Sequence, residues 1–192
     1  MKLTTLAFFL VSLSLFSLGA CNAPAKTTAS VAGAHAEALA PAPGLALSNA
    51  QAFGTLHMGG QPTEADLAAL AKAGTRRVIS LRKAGELKDF DEKARAAELG
   101  LEYIELPFAT PAELDDATYA KARELLRQSS ETPSLLHCAS GNRVGALWVA
   151  YRVLDQGLAW DAALAEAQAV GLKNPAYIER AKAYVASQSA QR

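Results

Sequence analysis

Cysteine is scarce in this 192-residue chain: Cys21 and Cys138 are the whole supply, so there is no disulfide framework to build a fold around. Lysine plus arginine number 19 and aspartate plus glutamate number 19, so no basic excess points to nucleic acid and no charged block reads as an interaction tail. Histidine, cysteine and the acids do not gather at metal-ligand spacing, so no metal is implied. The phosphate-cradling GxxxxGK pattern and the dinucleotide GxGxxG pattern are both missing. No segment repeats another. The apolar run over residues 6–18 is too short to cross a bilayer comfortably. What remains is a chain 51% hydrophobic and 20% charged, suited to one globular domain with something extra at an end.

That extra is N-terminal. A lysine at position 2, an apolar stretch of signal-peptide length and the sequence Leu18-Gly19-Ala20-Cys21 follow one another. They resemble a bacterial lipobox, in which Cys21 is lipidated and becomes the first residue of the mature protein. Residues 1–21 are therefore expected to be a lipoprotein signal. Residues 22–50, rich in Ala, Pro, Ser and Thr, are expected to be a flexible tether. The globular domain is expected over 51–188. Asn22 after the cysteine resembles outer-membrane sorting, which places the domain in the periplasm-facing cell envelope with a lipid as its membrane partner.

Within the domain the pattern alternates. AFGTLHMGG reads as a first strand. Thr63, with Asp66 three residues on, reads as the cap of a helix ended by Gly74. RVISL is a short buried strand, residues 85–99 a charged helix, residues 101–106 a strand, residues 116–128 a helix, and SLL a last strand. Two more helices follow, at 160–170 and from Asn174-Pro175 through Tyr184. Strand and helix in alternation imply an α/β fold: three layers, with a short, mostly parallel sheet of four to five strands between helices.

Ligands of such sheets bind beyond the carboxyl ends of the strands, and Cys138 sits at such an end. The stretch SLLHCASGNRVGALWV takes the chain from a strand through a tight loop into a helix N-terminus. The first N–H groups of that helix have no intrahelical partner, and the helix field favours anions and thiolate over thiol. Gly141 permits backbone conformations in which loop N–H groups converge on one oxyanion. Arg143 adds a planar fork of donors. A nucleophilic sulfur at the floor of an anion cradle can attack a phosphate-like ester or a sulfane sulfur. The backbone of Ala139, Ser140, Gly141, Asn142 and Val144 is expected to bind the substrate oxyanion, with Cys138 and Arg143 as the reacting pair and His137 supporting the thiolate from behind. Trp148 and Trp160 read as core.

HCASGNRVG resembles the active-site loop of cysteine-dependent tyrosine and dual-specificity phosphatases. Those enzymes place five residues between cysteine and arginine, whereas here there are four, the spacing of rhodaneses. GGQPTEADLAAL, RRVISLR, LEYIELP and LLHCASGNRVGALW, in order, resemble the phosphatase-like domain family named after beta-lactamase hydrolase-like proteins. The resemblance implies a phosphatase-like fold without a cofactor, acting on a phosphate ester or another oxyanion. It also implies a general acid after the third strand, where Phe108-Ala109-Thr110 supplies none; Glu113, Asp115 and Asp116 follow a few residues later. Three readings stay open: a Cys138 phosphoenzyme, a Cys138 persulfide carrier, and a module that binds an oxyanion without turnover. With Cys21 lipidated and Cys138 at the site, no disulfide is expected.

Overall fold

A computed structural model describes residues 38–86 and 89–190. The expected signal sequence, Cys21 and most of the expected tether lie outside the described residues. Six strands form one sheet in the order β1-β2-β3-β6-β4-β5. They are β1 (Ala40–Pro41), β2 (Gln51–Phe53), β3 (Leu56–Gly59), β4 (Arg77–Ser80), β5 (Glu102–Glu105) and β6 (Ser134–His137). β3, β6, β4 and β5 are parallel, while β1 and β2 add antiparallel pairings at one edge. The count exceeds the expected four to five for two reasons. AFGTLHMGG is not one strand: Gly54, at φ 55°, turns it into a hairpin with Phe53 opposite Leu56. The segment expected to be the end of the tether also pairs, Ala40 with Ala52, and buries Leu47 against the sheet, so the packed domain reaches back to β1.

Among the described residues six α-helices cover the two faces: α1 (Glu64–Ala73), α2 (Glu92–Glu98), α3 (Asp116–Arg127), α4 (Asn142–Leu154), α5 (Trp160–Val170) and α6 (Pro175–Ser189). The capping box at Thr63 and Asp66 forms as the sequence reads, with each side chain taking the other residue's N–H. The helix expected over 85–99 is shorter. Gly85 sits at φ 81° in a loop, and Asp91 caps a helix that begins only at Glu92.

Period-2 alternation in the parallel strands divides the core. Val78 and Leu135 face α1 and α2 with Leu67, Leu70 and Ala96. Ile79 and Leu136 face the larger cluster under α3 to α6, built on Leu126, Leu147, Trp148 and Tyr184. β4 and β6 are buried along their whole length, as strands covered on both faces must be. β6 lies between β3 and β4, so its carboxyl end opens at the middle of the sheet rim. α4 is apolar nearly all round and runs back from that point through the core. It approaches α5 so closely that a Cβ on Gly145 would lie 2.7 Å from Ala167 O.

Candidate active site

β6 ends at His137, and Cys138 opens the loop into α4. The loop is held from outside. Cys138 N–H donates to Gly59 O (3.3 Å), Gln61 N–H to Ala139 O (3.2 Å) and the Asn49 side-chain amide to Ser140 O (2.9 Å). In a trans peptide the N–H points opposite to its C=O. Tying back the carbonyls of Ala139 and Ser140 therefore turns the N–H groups of Ser140 and Gly141 toward the nucleophile. The Gly141 N–H is 3.1 Å from Cys138 Sγ and donates to it. Gly141 adopts φ 87° and has no room for a side chain, because a Cβ there would lie 1.8 Å from Val170 O. α4 carries no side-chain N-cap, so its first N–H groups also face the loop without a capping partner. Sequence reasoning foresaw the loop and its glycine but not Asn49, which lies in the segment expected to be tether and which the structure holds at φ 54°.

Cys138 is buried at the floor of a cleft of about 240 Å³. Ala139, Ser140, Asn142 and Arg143 line it from the loop and α4; Glu86, Ala109, Asn174 and Tyr177 line it from across. Asn142 contributes through its position, since its Oδ1 accepts the N–H groups of Lys173 (3.0 Å) and Asn174 (3.2 Å) and pins the α5–α6 turn to the site. The Val144 side chain is fully buried in the larger core cluster and does not line the cleft, which leaves its backbone, the part expected to meet the oxyanion, as its only route to a substrate. A larger cleft of about 420 Å³, with Ser80, Arg82, Lys93 and Tyr103 in its walls, takes in the segment from Arg82 to Gly85 but is not lined by Cys138.

Arg143 is buried and braced on several sides. Nη1 donates to Leu81 O (2.8 Å), Phe108 O (2.7 Å) and Glu86 Oε1 (3.0 Å); Nη2 donates to Glu86 Oε2 (2.7 Å). Burial opposes the guanidinium charge, yet Glu86 and Cys138 outweigh it and raise the pKa. The Arg143 fork in turn lowers the Glu86 carboxyl to about 2. Glu86 is thus an ionised acceptor holding the arginine in place. Its partner is 57 residues away in sequence, and its own segment reads as helix, so nothing local marks it.

His137 is fully buried behind the nucleophile rather than in the cleft, with Nε2 3.1 Å from Glu92 Oε1. Burial pushes the Glu92 carboxyl up, but its contacts with His137, Tyr103 and Gln61 prevail and lower it. The Tyr103 hydroxyl donates to Glu92 Oε2 (2.9 Å), the Gln61 amide to Glu92 Oε1 (3.0 Å), and Arg82 to Gln61 Oε1 (2.8 Å).

None of the three candidate acids lines the cleft. Glu113 accepts Lys83 Nζ (2.9 Å) and the Ala109 N–H (2.8 Å), and the lysine lowers its pKa. Asp115 caps α3 through the Thr118 N–H (2.7 Å), a bond that also lowers its pKa. Asp116 pairs with Arg180. Tyr177, read in the sequence only as part of the last helix, does reach the cleft. Its hydroxyl donates to Ala109 O (2.9 Å), and its ring meets Phe108 edge-on at 6.0 Å. Burial raises its pKa.

This arrangement has counterparts. The chain is 29% identical over 174 residues to the dual specificity protein phosphatase TpbA of Pseudomonas aeruginosa, covering 90% of this chain and 75% of that one. In sequence the chain is thus similar to a dual specificity protein phosphatase. The crystal structure of TpbA superposes with a TM-score of 0.59 at 27% identity, over 80% of this chain and 91% of that one; TpbA has also been solved as a cysteine-to-serine variant in complex with phosphotyrosine. A DUF442 protein from Shewanella putrefaciens shares the fold, with a TM-score of 0.61 at 19% identity over 74% of this chain and 94% of that one. No family model matches the chain. In sequence and in fold it is phosphatase-like, with an α/β sheet covered by helices on both faces.

Proposed function

We propose that the chain is a cysteine-dependent phosphatase that hydrolyses phosphate monoesters through a Cys138 phosphoenzyme. Cys138 Sγ attacks phosphorus, Arg143 and the loop N–H groups hold the non-bridging oxygens, and water then cleaves the S–P bond. The observation that carries this reading is the loop itself. The tied-back carbonyls of Ala139 and Ser140 turn N–H groups inward, one of them 3.1 Å from the sulfur, beside a braced arginine. Binding of phosphotyrosine by the related TpbA variant supports a phosphate ester as the class of substrate.

The four-residue spacing between Cys138 and Arg143 supports placing the chain in the short-loop branch represented by the beta-lactamase hydrolase-like phosphatase domain. The same spacing favours a second reading, a persulfide carried on Cys138. Turnover of 4-nitrophenyl phosphate by the full-length chain, set beside sulfur transfer from thiosulfate to cyanide, separates the two. Phosphate release should dominate and vanish in Cys138→Ser, which keeps its affinity for inorganic phosphate. Arg143→Lys should impair both turnover and binding, since a point charge does not replace the fork. Sulfur transfer far faster than phosphate release would overturn the phosphatase reading.

The domain is further proposed to face the periplasm on a lipid attached to Cys21, on the strength of the lipobox-like sequence. Metabolic labelling with palmitate should mark the wild type and not Cys21→Ser; a label that persists in the variant would refute it.

A further inference from the structure

We propose that Tyr177 donates the proton to the leaving oxygen, an inference that rests on the phosphatase reading above. A phosphate ester of an alkyl alcohol leaves as an alkoxide unless a group in the cleft protonates it, and a positioned acid is worth roughly 10²–10⁴-fold. The residues facing the cleft leave few donors. Glu86 is ionised, with both oxygens in the Arg143 fork. Arg143 does not give up a proton in a protein. Asn142 and Asn174 offer amides, which are not acids at neutral pH. The Ser140 hydroxyl is no more acidic than the alcohol it would protonate. Glu113, Asp115 and Asp116 are engaged outside the cleft.

Tyr177 is different in kind. A phenol, with an ordinary pKa of about 10, keeps its proton at neutral pH yet is far more acidic than an alkyl alcohol. Its hydroxyl is fixed at the cleft wall by the 2.9 Å bond to Ala109 O, and Phe108 holds the ring. Tyr177 lines the same cleft as Cys138, and rotation about its C–O bond turns the hydrogen from Ala109 O toward the leaving oxygen. Burial raises the phenol's pKa against the pull of the Arg143 charge, so the proton to be donated is in place at neutral pH.

The balance closes. The thiolate pair of Cys138 forms the S–P bond, the P–O bond breaks with its pair on the leaving oxygen, and the Tyr177 proton converts that oxygen to an alcohol. In the second half a water gives a proton to the phenolate as its oxygen bonds to phosphorus. The S–P pair returns to Cys138, releasing phosphate and restoring Tyr177.

The test is the leaving-group dependence of kcat/KM in the full-length chain, measured on a series from 4-nitrophenyl phosphate through phenyl phosphate to an alkyl phosphate. Tyr177→Phe should lose roughly 10²-fold or more on the alkyl ester and a far smaller factor on the nitrophenyl ester, which leaves without a proton. The dependence on leaving-group pKa should therefore steepen, and the solvent isotope effect on the alkyl ester should fall. Equal losses on both esters would overturn the proposal by making Tyr177 structural. Steepening in Ser140→Ala instead would overturn it in favour of the serine. A wild type that cleaves aryl but no alkyl esters refutes the Tyr177 role while leaving the phosphatase reading intact; one that cleaves neither refutes both.

Discussion

Replacing Gly141 by alanine puts one methyl group at the tightest point of the site. An added Cβ lies 1.8 Å from Val170 O, against the 3.0 Å that real Cβ atoms keep, so one backbone must yield by 3.0 less 1.8, or 1.2 Å. Neither side yields easily. Gly141 is held on one flank by the Cys138 contact, and Gly171, next to Val170, is itself so close that its own Cβ would lie 2.6 Å from Ser140 O. Alanine at φ 87° adds about 1–2 kcal/mol of backbone strain, and the overlap adds about 1–3 kcal/mol. A loss of about 2–5 kcal/mol should lower Tm by roughly 4–20 °C in a domain of this size. Relief of the overlap moves the α5–α6 turn, which carries Asn174 and leads into α6 with Tyr177, away from the loop. A misplacement of about 1 Å is worth roughly 10²-fold in rate. The assay is thermal unfolding by circular dichroism together with kcat/KM on 4-nitrophenyl phosphate below the variant's Tm. Gly157→Ala is the control: it has φ 69° but open space around its Cβ, so it bears the backbone strain alone. If Gly141→Ala matches Gly157→Ala in Tm and keeps wild-type activity, the close approach of the loop to α5 is not what shapes the site.

Two further outcomes follow from the ion pairs. Glu86 has its pKa lowered from 4.5 to about 2, so its stabilising effect is complete above pH 4.5 and is lost as pH falls toward 2. The stability gap between wild type and Glu86→Gln, read from urea midpoints, should be widest near neutrality and close across that window; a gap that does not change with pH contradicts the Arg143 pairing. Replacing Glu113, Asp115 and Asp116 singly by their amides should leave the leaving-group dependence of kcat/KM where it is, because none of the three lines the cleft and each is held by a partner of its own. A steeper dependence in any one of them would identify a loop acid that swings in.

The strand, the loop and α4 were legible because their signals are local. Ser134 to Leu136 is short and apolar between turn residues, Gly141 breaks the pattern, and the apolar run from Val144 resumes as helix. The hairpin at Gly54 was not legible, since one glycine inside an apolar stretch serves a strand or a turn equally well. The walls of the cleft were least visible of all. Glu86 meets Arg143 across 57 positions and Tyr177 meets Ala109 across 68, and both contacts exist only because β6 sits mid-sheet with α6 folded over its end. The Asn174 cap of α6 was readable, with its Oδ1 accepting the Ala176 N–H at 2.9 Å, but its place beside Cys138 was set by Asn142 from another helix.

The central claim is a bond between Cys138 sulfur and phosphorus. Acid quenching of the full-length chain during turnover of 4-nitrophenyl phosphate, followed by mass analysis of the peptide bearing Cys138, tests it most directly. The account predicts a phosphoryl group on Cys138 that appears within the first turnover and is absent from Cys138→Ser. An added sulfur atom, or an unmodified Cys138 while phosphate is being released, would contradict it.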